Sequence, residues 1–115
     1  AAGGRAMIGD SGAVRSGRID FERINRSALA RADAVVRGLL PEGRLEGHEY
    51  VARNPLRPDR RLGSFKVNVS TGRWADFATG DGGGDLVSLA AFVSGLPQRE
   101  AAIRLAESMG VSPWA

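Results

Sequence analysis

Ser64-Phe65-Lys66-Val67-Asn68-Val69-Ser70-Thr71-Gly72-Arg73-Trp74-Ala75-Asp76-Phe77-Ala78 is the most regular stretch of the chain. Phe65, Val67 and Val69 alternate with Ser64, Lys66 and Asn68, the period of two that sends apolar side chains to one face of a strand and polar ones to the other. Ser70-Thr71-Gly72 supplies turn chemistry, and a second strand runs from Arg73 to about Ala78. The pair predicts an antiparallel hairpin over about residues 64–78. Trp74 and Phe77 differ in strand parity, so at least one of the two rings faces a core.

Upstream of the hairpin, Ile24, Leu29, Ala32, Val35, Val36, Leu39 and Leu40 recur mostly at three- and four-residue steps, the stripe of an amphipathic helix. Asp20 is placed to cap it, Ser27 is an alternative cap for a later restart, and Pro41-Glu42-Gly43 ends it. Residues 45–53, with Tyr50 and Val51, read as extended, and residues 54–63, with two prolines and many charges, read as an exposed loop. Downstream of the hairpin, Leu86, Val87, Leu89, Ala90, Phe92, Val93 and Leu96 give a broad apolar helical face capped by Asp85 and stopped at Gly95. Pro97 opens a last helix whose stripe, Ala102, Ile103, Ala106 and Met109, ends at Gly110. The fold class expected is α+β: a small antiparallel sheet packed with an N-terminal helix and a C-terminal helical hairpin. A chain of 115 residues suffices for one core. The expected division is one domain over residues 19–115, preceded by a flexible tail over residues 1–18, rich in Gly, Ala, Ser and Arg.

Fifteen arginines and the single Lys66 outweigh 13 acids, for a net charge of +3, a modest excess that suits an anionic partner. The absence of cysteine excludes disulfides, thiolate metal sites and Cys nucleophiles. No apolar run reaches the roughly 18 residues of a membrane span, and the start of the chain lacks a secretory pattern. A soluble, cytoplasmic protein with no membrane partner is expected.

Chemistry-bearing motifs are sparse. Thr79-Gly80-Asp81-Gly82-Gly83-Gly84-Asp85 has the glycines of a phosphate cradle but neither GxxxxGK[ST] nor GxGxxG spacing, and its carboxylates repel a phosphate. A tight turn and helix cap accounts for it. The same acids miss the pattern of a calcium loop, and Asp76, Asp81 and Asp85 read as caps and ion pairs before they read as a divalent-metal site. His48 is the only histidine and belongs to no catalytic motif. No catalytic residue, cofactor or metal is therefore expected, and the chain reads as a non-enzyme. The strongest signal is charge: Arg53, Arg57, Arg60, Arg61, Lys66 and Arg73 cluster with Asp59 as the only acid among them. With Trp74, and with Tyr50 and Phe77 near in sequence, they suggest a cationic groove beside a base-stacking ring. The competing reading is a solvated Arg-rich loop over a core aromatic.

The text from about His48 to Gly110 resembles the N-terminal zinc-binding domain of bacterial and phage DNA primases. The resemblance is carried by Asn54-Pro55-Leu56-Arg57, Gly63-Ser64-Phe65-Lys66-Val67-Asn68, Arg73 to Gly80, Gly82-Gly83-Gly84-Asp85 and, in the last helix, Glu100 to Ala106. It implies a zinc-ribbon-like sheet in which the family's four ligand positions fall on Asn54, Arg57, Asp76 and Thr79, so that the zinc is lost and an Arg57–Asp76 ion pair stands in for it. It further implies a single-stranded-DNA-binding accessory domain of a primase-like replication protein, with polymerisation carried out by a separate catalytic domain. Phages, plasmids and other mobile elements are the natural setting for so divergent a form. The alternative it leaves open is a module that docks a replicative helicase or a primase catalytic domain.

Overall fold

The alternation around Phe65 and Val67 is realised at the centre of a five-stranded sheet in the computed structural model, which describes residues 17–56 and 64–115. The strands are β1 (Arg44–Glu46), β2 (Glu49–Ala52), β3 (Phe65–Asn68), β4 (Trp74–Asp76) and β5 (Gly82–Gly83). They lie in chain order, each antiparallel to the next. Two cross-strand rows define the faces: Tyr50, Val67, Trp74 and Gly83 share one register line, and Val51, Lys66, Ala75 and Gly82 the neighbouring one. Tyr50, Ala52, Phe65, Val67 and Trp74 belong to the core. The expected hairpin is thus β3–β4. It is extended on one side by the β1–β2 hairpin and on the other by two glycines, which read in sequence as turn alone.

Four helices flank the sheet: α1 (Phe21–Ala30), α2 (Ala32–Leu39), α3 (Leu86–Ser94) and α4 (Gln98–Met109). The single N-terminal helix expected from periodicity is two helices, broken at Arg31, whose φ of −128° and ψ of 41° are not helical. The reason lies in the spacing of the buried positions Ile24, Ala28, Ala32, Val36 and Leu40. A strict four-residue repeat precesses by about 40° per step around a straight helix of 3.6 residues per turn. The break returns the stripe to the core. Asp20 caps α1 by accepting from the Arg23 amide, and Asp85 caps α3 by accepting from that of Ser88. Gly95 and Gly110 end α3 and α4 with φ of 70°, a left-handed conformation that costs glycine little.

Phe65, Trp74 and Phe92 form the aromatic centre of the core, with ring centroids 4.9–5.9 Å apart. The Trp74 indole N–H donates to Ser88 Oγ at 2.9 Å, so burial leaves that donor satisfied. The buried Tyr50 hydroxyl donates to the Leu40 carbonyl and accepts from the Gly43 amide, tying the end of α2 to the sheet. The two ends of the described body are also joined. Ile19 and Trp114 form a β-bridge, Ala115 N–H donates to Arg18 O, and the Arg99 guanidinium lies over the Trp114 ring while donating to Gly17 O. Gly17 and Arg18, which the sequence reading assigned to the tail, therefore take part in this junction. Residues 1–16 lie outside the described residues. Among the described residues, no helix is long and apolar enough to cross a membrane.

Candidate nucleic-acid interface

Pleating places Lys66 and Ala75 opposite one another on the face of the sheet away from the aromatic core. Lys66 Nζ lies 3.8 Å from Glu49 Oε1 on β2 and 5.8 Å from the Phe77 ring centroid just past β4. Phe77 is 72% exposed, an unusual placement for a phenylalanine. Arg73, also exposed, borders the same shallow groove, whose far wall is the backbone of Gly82, Gly83 and Gly84. A methyl group at Gly82 would meet the Trp74 carbonyl oxygen at 2.9 Å, and one at Gly83 would meet Ser88 Oγ at 2.4 Å and Trp74 Nε1 at 2.6 Å. Glycine is thus what lets β5 close on β4. The result is a groove bordered by two cations, one acid, an open aromatic face and side-chain-free backbone.

This geometry redistributes the residues expected at the interface. Lys66 and Arg73 come together on one face. Trp74 also borders this groove, but its side chain is 6% exposed, with Phe65 and Phe92 against its ring, because its register with Val67 turns the ring to the core face. The ring exposed beside this groove is that of Phe77. Parity alone leaves open which ring faces in, and the register supplies the answer. Arg53 is exposed but borders a different cleft, with Leu40, Pro41 and Pro55. Arg57, Arg60 and Arg61 lie outside the described residues. Sequence reasoning missed Glu49, whose place opposite Asn68 depends on the β2–β3 register. His48 is a surface residue near Ser70.

The positions that the primase resemblance assigns to zinc ligands hold a different device. Asn54 and Asp76 are both buried, at 3% and 0% exposure, and Asn54 Nδ2 donates to Asp76 Oδ2 at 2.6 Å. Each side chain also closes its own loop, since Asn54 Oδ1 accepts from the Leu56 amide and Asp76 Oδ1 from the Ala78 amide, both at 2.8 Å. The Asp76 carbonyl accepts from the amides of Thr79 and Gly80. Two turns are thereby shaped and cross-linked by side-chain hydrogen bonds. As zinc ligands these groups do not fit: a carboxamide and a hydroxyl replace thiolates, the amide donates to the one carboxylate present, and Thr79 Oγ1 faces Asp81 at 2.9 Å. Among the described residues, no group of three or more His, Cys, Asp or Glu side chains is arranged to hold a metal ion. The expected Arg57–Asp76 pair involves a residue outside the described ones; among the described residues, Asn54 reaches Asp76 across the two turns.

No protein-family model matches the chain, and no curated protein matches it. A solved structure does resemble it. That structure contains the zinc-binding and RNA polymerase domains of the Aquifex aeolicus primase, and the likeness has a TM-score of 0.65 at 26% identity. It covers 81% of this chain and 22% of the primase chain.

Proposed function

We propose that this domain is a metal-free accessory module of a primase-like DNA replication protein, derived from a zinc-binding domain, that holds single-stranded DNA on the outer face of its sheet and catalyses no reaction itself. The observation that carries the reading is the juxtaposition of Lys66, Arg73 and the exposed Phe77 along one groove. A flat aromatic face beside cations is what an unpaired base and its phosphate require, and it tolerates any base because every base has a π-face. The likeness to a primase structure supports the replication setting. Arg57, Arg60 and Arg61 precede Lys66 in the sequence and add to the positive charge of this stretch. A primase catalytic domain or a replicative helicase is the partner such a module would serve.

Fluorescence anisotropy on a labelled single-stranded oligonucleotide tests the reading. Phe77→Ala should weaken binding by about 1–3 kcal/mol with little change in salt dependence. Lys66→Ala and Arg73→Ala should each reduce the slope of log affinity against log salt by about 0.7. Wild-type protein that fails to bind at low salt, or Phe77→Ala protein that binds like wild type, would sink the proposal.

A further inference from the structure

α2 and α4 each pack elsewhere in the core, α2 on α1 and α3, α4 on α1 and α3, and leave a trough between their facing sides. One half is lined by Leu39, Leu96 and Leu105, the other by Val35, Leu39 and Met109. Leu39, Leu105 and Ser108 border both halves, which makes the trough continuous. Val35, Leu39, Leu96 and Met109 are only partly buried, so apolar surface lies open along its length. None of the trough residues faces the sheet groove described above.

The charge on this trough is one-sided. Among the described residues, those with charge that line it are Arg31 and Arg104, and no carboxylate does. The Arg31 guanidinium donates to the Met109 carbonyl oxygen at 3.2 Å, which fixes a cation at one end, and Arg104 is exposed. Asp33, the acid of α2, is already engaged by Arg37 at 2.9 Å. An apolar channel with cations at its borders is complementary to an apolar stripe flanked by acids. Its length matches α4, whose 12 residues rise about 18 Å at 1.5 Å per residue.

We infer that the α2–α4 trough is a docking site for an acidic amphipathic helix of a separate polypeptide, of about three turns, whose leucine-type stripe lies on Val35, Leu39, Leu105 and Met109 while flanking carboxylates meet Arg31 and Arg104. Helix-in-groove recognition of this kind reads residues at i, i+3 or i+4, and i+7. The inference is independent of DNA binding on the sheet.

Two synthetic helical peptides of about 14 residues serve as probes, one with a leucine stripe flanked by glutamates and one with the same stripe flanked by lysines. Binding is followed by backbone amide shifts in the folded domain. The glutamate peptide should bind roughly tenfold more tightly than the lysine peptide and should shift amides of Val35, Leu39, Leu105 and Met109, leaving those of Lys66 and Ala75 in place. The double variant Ala34→Glu with Arg104→Glu, at two exposed positions, should reverse the preference between peptides. Arg104→Ala, a milder change, should reduce it and serves if the double variant does not fold. Three results would overturn the inference: no binding up to about 1 mM peptide, equal binding of both peptides, or shifts confined to the sheet. Sedimentation that shows dimerisation lost in the double variant would also overturn it, assigning the trough to a second copy of the chain.

Discussion

Asn54 and Asp76 show how much one buried hydrogen bond can organise. Each side chain closes a turn, and the bond between them spans 22 residues of sequence. Replacing Asn54 by Ala removes a donor to a fully buried carboxylate and frees the Leu56 amide. Losing one hydrogen bond to a buried polar group costs about 1–3 kcal/mol, more when that group is charged. Chemical denaturation of Asn54→Ala should therefore show a loss of about 3 kcal/mol, whereas a loss under about 0.5 kcal/mol, the size of an ordinary surface change, would show that the clip does not hold the turns. Trp74 makes a second case. Trp74→Phe keeps an aromatic in the core but abandons the indole bond to Ser88, so it should cost about 1–2 kcal/mol of stability. Its affinity for single-stranded DNA should stay at the wild-type value; a marked loss of affinity without a loss of stability would return Trp74 to the interface.

Among the elements, β5 is the one that composition argues against, because two glycines have poor strand propensity. It forms because close approach to Trp74 excludes side chains there. Gly83→Ala tests this. A methyl group placed 2.6 Å from Trp74 Nε1 and 2.4 Å from Ser88 Oγ displaces one of the two partners, and overpacking of this kind costs about 1–3 kcal/mol. The melting temperature should fall, and the Trp74 indole N–H resonance should lose its hydrogen-bonded shift. An unchanged melting curve would mean that β5 is free to move off the sheet. The break between α1 and α2 belongs to the same scale: the four-residue spacing of buried residues signals it, since no straight helix keeps such a stripe on one face.

For the molecule as a whole, the question is what holds a domain similar to part of a primase together without thiolate ligands. Structural zinc contributes more than about 10 kcal/mol in small finger peptides, and this chain has instead a core shared by four helices and a sheet. That core includes the Phe65–Trp74–Phe92 cluster and is bordered by the Ile19–Trp114 bridge. Elemental analysis of the purified protein should find no stoichiometric zinc, and a chelator should leave the melting temperature unchanged. Tightly bound zinc, or a melt lowered by chelator, would show that a metal is held after all.

Much of this architecture is decided locally and was legible in the residues. The period-two run at Phe65–Val69, the turn at Ser70–Gly72, the Asp85 cap and the glycine stops at Gly95 and Gly110 act over a few residues, and single-chain patterns report such interactions directly. The lack of cysteine likewise determined that no thiolate site exists. What the sequence left open are properties of register and packing. Which of Trp74 and Phe77 faces water depends on the pairing of Val67 with Trp74. Whether two glycines make a turn or a strand depends on how closely β5 approaches the Trp74 backbone. That Asn54 reaches Asp76 depends on a fold that brings distant turns together, and the trough between α2 and α4 exists because both helices pack elsewhere. Local periodicity carries no information on these distances, since a side chain's neighbours across a sheet or a helix pair are set only when the layers meet.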